Sequence, residues 1–389
     1  MSLEARRHAS FGAGWLRGAA RPGPAGVDAL LSGEPRRILV VKTHDQLGDF
    51  LVATPALSAL RARFAGARIE LVTRDYLAPL ARRQRALDAV HLLPRVRGLK
   101  GALGLIALVA RLRDPAPELA FVLNSVSRSR TADRIAALSG AKLIVGRSQV
   151  GAGALDPQAP EDPGARAREA LASGRGRDPV YDLDVGIGRT SIHQVDRLLD
   201  LVRWTGAVPG DARMTLDLTG DERRAGRAAL LAAWPGGAPP AGPRVGIHPA
   251  AANVLKCWPV ASFVEVAARL AATGAAPWVF DTPKEPGPAR AVVDGLVRRG
   301  VAAGLVPAGG LDAFLGAAAA LDLMICNDSG VMHAAAALGV PTLSFHSLGR
   351  PEEWAPRSES AVALHAGPIM GIAVDDAERA ARRLLSSRG

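Results

Sequence analysis

Leu321-Asp322-Leu323-Met324-Ile325-Cys326-Asn327-Asp328-Ser329-Gly330-Val331-Met332-His333 opens as an apolar run and closes as a polar, glycine-containing turn, and an Ala-rich stretch ending at Gly339 follows it. A short block with few polar members suits a parallel strand covered on both faces. Alanines after such a turn favour helix. Strand, turn and helix in that order put the turn at the carboxyl end of a strand, where open α/β sheets bind ligands. They also put it at a helix start, where free N–H groups and the positive end of the helix dipole favour an anion. A phosphorylated ligand is expected here, with Ser329, Gly330 and Val331 offering backbone N–H groups and Asp328 taking hydroxyls of an attached sugar. The plainer reading is that Asp328 or Ser329 only caps the helix. His333, one turn inside, is placed toward the same cleft.

Working outward, the pattern repeats. Apolar blocks at 38–41, 69–73, 90–93, 119–123 and 142–145 alternate with helical spacing over 51–64, 76–85, 103–112 and 131–138. A second series runs through blocks at 244–248, 278–280, 303–305, 323–326 and 342–345, with helices over 260–272, 289–298 and 311–319 between them. Such alternation predicts an α/β protein built from two doubly wound, Rossmann-like units. Residues 151–190, rich in Pro and Gly, read as a long loop or insertion. The domain expectation is a basic, flexible tail over 1–34, a first domain over 35–210, a second over 211–374, and a terminal helix over 375–389 that packs back on the first.

Bulk composition narrows the classes. At 389 residues the chain suits two domains rather than one. No apolar stretch approaches the roughly 18 residues that a membrane-spanning helix needs. The two cysteines, Cys257 and Cys326, have no metal-ligand spacing and read as reduced thiols in a cytoplasmic protein. A formal net charge of +11 suits phosphorylated substrates, nucleic acid or an anionic membrane face. With aromatics at only 4%, and no basic run interleaved with stacking rings, nucleic acid is set aside. Arg6, Arg7, Arg17 and Arg21 around Phe11, Trp15 and Leu16 suit either a disordered tail or a segment resting on a membrane.

Three further segments carry chemistry. Lys42-Thr43-His44-Asp45-Gln46-Leu47-Gly48-Asp49 follows the first strand and is not a G-x-G-x-x-G dinucleotide fingerprint, since only Gly48 is available for close backbone approach. Asp49 there serves either as a base for a hydroxyl or as a helix N-cap, and Asp45 is its rival in both roles. His248-Pro249-Ala250-Ala251-Ala252-Asn253-Val254-Leu255-Lys256-Cys257-Trp258-Pro259 leaves the second unit's first strand. Lys256 sits just before a helix entry fixed by Pro259, placed to put a point charge on a phosphate or simply to be solvated. His248 ends the strand and reads as structural. Phe345-His346-Ser347-Leu348-Gly349-Arg350 forms another loop after a strand, lining the nucleotide pocket.

Together these segments resemble glycosyltransferase family 9, the ADP-heptose:lipopolysaccharide heptosyltransferases. The resemblance rests on Ile38-Leu39-Val40-Val41 leading to Leu47-Gly48-Asp49 and Ala53-Thr54-Pro55-Ala56-Leu57, and on Gly246-Ile247-His248-Pro249 leading to Lys256 and Trp258-Pro259. Its third part is Asn327-Asp328-Ser329-Gly330 with Met332-His333 and Leu338-Gly339-Val340-Pro341-Thr342. It spans about residues 36–356.

The resemblance implies a GT-B fold, two Rossmann-like domains facing each other across a cleft, and inversion at the anomeric carbon without a metal or other cofactor. It makes Asp49 the general base, Lys256 the donor-phosphate lysine and Asp328 the donor-sugar aspartate. The expected partners are a nucleotide-sugar donor, ADP-linked by family, and a saccharide or glycolipid acceptor, with peripheral contact to the inner membrane face. The chain departs from the family in its Ala-rich 250–255 loop, in Cys257, and in His346 where a glycine is usual. A GT-B nucleotide-sugar epimerase and a non-catalytic nucleotide-sugar-binding protein stand as alternatives.

Overall fold

The computed structural model describes residues 22–44, 46–95, 98–148, 178–185, 193–203, 205–283 and 287–387. The chain divides into two compact units, the first being Met1–Gln46 with Val52–Ala212, and the second Leu47–Leu51 with Arg213–Gly389. Each carries its own six-stranded sheet, and the described strand pairs are all parallel.

In chain order the first half contains α1 (Pro24–Ser32), β1 (Arg37–Val41), α2 (Leu47–Leu51), α3 (Thr54–Arg63), β2 (Arg68–Arg74), β3 (Ala89–Leu93), α4 (Gly98–Arg113), β4 (Leu119–Val122), α5 (Arg130–Leu138), β5 (Leu143–Gly146), β6 (Leu183–Asp184) and α6 (Gln194–Arg203). The sheet order is β3-β2-β1-β4-β5-β6. That is the dinucleotide-fold order, with its topological switch point between β1 and β4. The helix expected over 51–64 is α3, and the short helix α2 precedes it. Pro55 lies in the first turn of α3, where its missing N–H and its ring keep the two helices from running on as one, and α3 starts with Ala53 as N-cap.

Two sequence expectations change here. Part of the expected flexible tail is α1, which buries Val27 and Leu31, while residues 1–21 lie outside the described residues. Most of the 151–190 insertion also lies outside them. Its described piece adds β6 to the sheet and is pinned by Tyr181, whose hydroxyl donates to Asp133, and by a bidentate pair from Arg128 to Asp178 at 2.6 and 2.8 Å.

The second half contains α7 (Gly220–Ala232), β7 (Arg244–His248), α8 (Val260–Ala271), β8 (Ala276–Phe280), α9 (Pro288–Val297), β9 (Gly304–Val306), α10 (Leu311–Ala318), β10 (Leu323–Asn327), α11 (Gly330–Ala337), β11 (Thr342–His346), α12 (Pro351–Trp354), β12 (Ala361–His365) and α13 (Val374–Ser386). Its sheet order, β12-β11-β10-β7-β8-β9, repeats the first unit's pattern and puts the switch point between β7 and β10. Val245, Ile247, Phe263, Ile325, Leu343 and Phe345 anchor its core. The terminal helix α13, expected to pack back on the first domain, gives its Ala377, Ala381 and Leu384 to this same core. Among the described residues no helix is long and apolar enough to cross a membrane.

Glycine sets one helix contact in this unit. A Cβ on Gly226 in α7 would lie 2.1 Å from the carbonyl carbon of Gly316 in α10, backbone that has no room to yield. Gly226→Ala is therefore expected to lower unfolding stability by about 3 kcal/mol in urea titration. Gly316→Ala, whose Cβ would meet Gly226 Cα at 3.0 Å, should lower it less. Equal losses would contradict this account of the contact.

Candidate active site

The loop after β7 and the turn after β10 meet at the second unit's switch point, because β7 and β10 are neighbours there. Asn327, the last residue of β10, is fully buried and fastens the β7 loop at both ends: its Nδ2 donates to Pro249 O at 2.8 Å, and its Oδ1 accepts from Trp258 N at 2.9 Å. Trp258 is buried as well. Its Nε1 donates to Ile372 O at 3.1 Å and its ring packs 4.2 Å from that of Phe345. Between those anchors the loop makes one short turn at Val254–Lys256, capped by Asn253 Oδ1 accepting from Leu255 N at 3.0 Å.

That turn delivers Lys256. Its Nζ lies 2.6 Å from Asp328 Oδ2, and the Asp328 carboxylate is buried. A lysine ammonium has three donors, and this pair uses one of them. The β11–α12 loop closes over the pair at Gly349, where a Cβ would fall 2.4 Å from Asp328 Oδ2 and 3.7 Å from Lys256 Nζ. Only a residue without a side chain passes there. Asp328 N also donates to Phe345 O at 2.8 Å, so the backbone of the turn is fixed along with its side chain.

Ser329 occupies the N-cap position of α11, but its hydroxyl makes no capping bond. Ser329 Oγ is buried without a hydrogen-bond partner among the described residues. The purely capping reading of Asp328 and Ser329 is therefore not what the structure shows. Gly330 and Val331 form the first turn of α11, whose opening N–H groups have no partners within the helix itself.

The short helix α2 packs on α11 within the second unit. Two glycines set that contact. A Cβ on Gly330 would lie 2.7 Å from Leu47 Cβ, and one on Gly48 would lie 2.8 Å from His333 Cδ2. The missing side chain at Gly48 thus leaves room for His333, which is itself buried. Asp49 is the third residue of α2 and is buried. It does not cap the following helix, whose N-cap is Ala53. Among the described residues nothing hydrogen-bonds to its carboxylate. Asp45, its rival, lies outside the described residues.

Two buried histidines end the strands on either side of β10. His346 is buried, with its Nε2 2.8 Å from Ser344 Oγ. Burial holds its pKa below the usual value, against the pull of the Asp328 carboxylate. His248 is likewise buried, and burial pushes its pKa down to about 4 from 6.5. The neutral imidazole of the native state then contributes stability in full above pH 6.5. That contribution is lost as pH falls toward 4, because the unfolded chain takes up the proton first. Unfolding titrations at pH 7.5 and 4.5 should show about 2–3 kcal/mol less acid destabilisation in His248→Gln than in the wild type. Identical losses in both would remove His248 as the cause.

The first unit has a polar cluster at its own switch point that sequence reasoning did not find. Asn124 and Ser125 follow β4 fully buried, and both amide atoms of Asn124 and the Ser125 hydroxyl lack hydrogen-bond partners among the described residues. Nearby, Thr43 Oγ1 lies 2.8 Å from Ser129 Oγ, and His44 Nε2 lies 2.9 Å from Ser127 Oγ. The available signal was an Asn-Ser pair directly after an apolar strand, in a position where polar side chains have no sheet to face.

Part of the sequence, and the fold, are similar to those of known proteins. Residues 182–371 match the family model for glycosyltransferase family 9 (heptosyltransferase). The fold is similar to that of a family 9 glycosyl transferase from Veillonella parvula, at 17% identity and a TM-score of 0.71 over 90% of this chain and 97% of that one. It is also similar to Escherichia coli ADP-heptose lps heptosyltransferase II, at 18% identity and a TM-score of 0.66 over 90% and 99% of the two chains. A third likeness is to E. coli heptosyltransferase WaaC with ADP, at 17% identity and a TM-score of 0.64 over 90% and 99%. No curated protein matches the sequence. The two six-stranded parallel sheets are those of a GT-B protein, residues 182–371 match the family model for glycosyltransferase family 9 (heptosyltransferase), and the chain is a glycosyltransferase.

Proposed function

We propose that this chain is an inverting, metal-independent glycosyltransferase that moves a heptose-like sugar from an ADP-linked donor to a lipopolysaccharide-type or other cell-envelope saccharide, working at the cytoplasmic face of the membrane. The observation that carries the reading is the Lys256–Asp328 pair beside the first turn of α11, the same turn against which Gly48 and Gly330 hold the helix bearing Asp49. A heptose donor and an ADP leaving group are favoured by the family domain and by the structural relatives, one of which was solved with ADP-2-deoxy-2-fluoro heptose.

In this reaction an acceptor hydroxyl oxygen forms a bond to the anomeric carbon on the face opposite the diphosphate. The bond from that carbon to the diphosphate oxygen breaks, and the nucleoside diphosphate leaves with the electron pair. Asp49 takes the hydroxyl proton. A carboxylate is a weak base toward an alcohol, so the proton moves late, as the donor bond opens. Charge growing on the leaving diphosphate is met by the Lys256 ammonium and by the N–H groups of Ser329, Gly330 and Val331. Asp328 holds Lys256 in place and accepts from donor-sugar hydroxyls.

A thermal-shift screen of ADP-, GDP-, UDP- and dTDP-sugars tests the donor. An ADP-sugar at 100 times its dissociation constant should add about 2.7 kcal/mol of stability, and the others less. Transfer to a truncated core saccharide should then give a product of inverted anomeric configuration by NMR, with activity surviving chelation. Retention of configuration, loss of activity to a chelator, or donor conversion without acceptor would each sink the reading, the last in favour of an epimerase.

A further inference from the structure

Helix α4 breaks the rule that a surface helix turns polar residues to solvent. Its inward face is regular: Gly101, Leu108 and Leu112 are buried, and both leucines belong to the first unit's core. The opposite face carries Leu99, Leu103 and Ile106, which are 77%, 57% and 64% exposed, with exposed Ala110 completing the line. Their spacing of three and four residues stacks them on one side of the helix. Lys100 and Arg111 lie on one shoulder of that line and Arg113 on the other, all exposed, and no acidic residue occurs between 98 and 113. Single exposed leucines need no explanation, but an aligned set rimmed by cations marks an interaction surface.

We infer that this face of α4 docks the protein on an anionic lipid bilayer. Apolar side chains in a row, flanked by Lys and Arg with no carboxylate among them, are the composition of a helix lying in the lipid interface. The apolar row enters the acyl boundary while the three cations meet lipid phosphates at an anionic surface. A second copy of the chain is a poorer occupant. In a two-fold contact the same patch meets itself, which would bring Lys100, Arg111 and Arg113 against their own counterparts. The inference rests on the proposed reading for its purpose, presenting the enzyme to a lipid-borne acceptor, but the contact itself is read without any sugar chemistry.

The test is flotation of the full chain with phosphatidylglycerol/phosphatidylethanolamine vesicles and with phosphatidylcholine vesicles. The wild type should partition at least about tenfold more onto the anionic vesicles. The triple variant Leu99→Ser, Leu103→Ser, Ile106→Ser should lose about tenfold of that binding, with its melting temperature and its thermal shift by an ADP-sugar unchanged. The variant Lys100→Gln, Arg111→Gln should lose several-fold and decides the matter if the triple variant melts early. Wild type that stays off anionic vesicles overturns the inference, as does undiminished flotation of both variants, which would assign binding to another surface. A dimer in light scattering that the triple variant makes monomeric overturns it in favour of a second copy. An intact ADP-sugar shift beside failed flotation removes this inference alone, and the converse removes only the proposed function.

Discussion

Asp49→Asn should lower the sugar-transfer rate by roughly 10²- to 10⁴-fold, the usual worth of a positioned general base. Donor binding should stay within about threefold of wild type, since the diphosphate is assigned to other residues. The two expectations separate because of where Asp49 stands. It is buried in α2, and among the described residues no hydrogen bond engages its carboxylate. Replacing it by the isosteric amide therefore orphans no partner, and stability should hold or rise, since a buried charge without a bonded partner is a burden on the fold. A stable, donor-binding, inactive protein is the signature of a catalytic group. Single-turnover transfer with donor titration by calorimetry measures both quantities. Activity within tenfold of wild type would remove Asp49 from the chemistry, and an equal collapse of donor binding would make it a donor ligand instead.

How far the sequence reveals this site differs from residue to residue, for physical reasons. The β10–α11 turn was legible because a short continuous apolar block followed by a polar turn and an alanine run has few other solutions. Strand β12 was not: Ala361-Val362-Ala363-Leu364-His365 contains two alanines and stays half exposed at the sheet edge, so it shows neither a buried block nor clean alternation. β6 was hidden by its setting, two residues at the end of a Pro- and Gly-rich stretch. Asn327 was visible within a motif, but its clamp was not, since its partners Trp258 and Pro249 lie 69 and 78 positions away. Gly48 shows the same limit in another form. The need for a small residue there was readable, while the reason, the ring of His333 on another helix, depends on tertiary packing.

Lys256→Met should cost about 10²- to 10³-fold in kcat/KM, comparable with deleting one donor from an anion-stabilising site. It should also lower stability, by roughly 1–3 kcal/mol, because it leaves the buried Asp328 carboxylate without the ammonium now 2.6 Å away. Those two losses have different origins, and a second substitution separates them. In Lys256→Met, Asp328→Asn the buried carboxylate is gone along with its partner, so stability should return most of the way. Activity should not return, since the positive charge that faces the leaving diphosphate is still missing. Lys256→Arg is expected to recover part of the rate only: it restores charge, but a planar guanidinium is bulkier than the ammonium it replaces and reaches the pair with a different geometry. The loop at Gly349 leaves little space for that larger head. Denaturant titrations and initial-rate kinetics on these variants form a double-mutant cycle in two quantities. If the double variant regained both stability and activity, Lys256 would be a structural counter-ion for Asp328 and the assignment of the phosphate site to it would fail. If it regained stability alone, the pair would be a device in which a buried carboxylate holds a lysine where a departing diphosphate needs it.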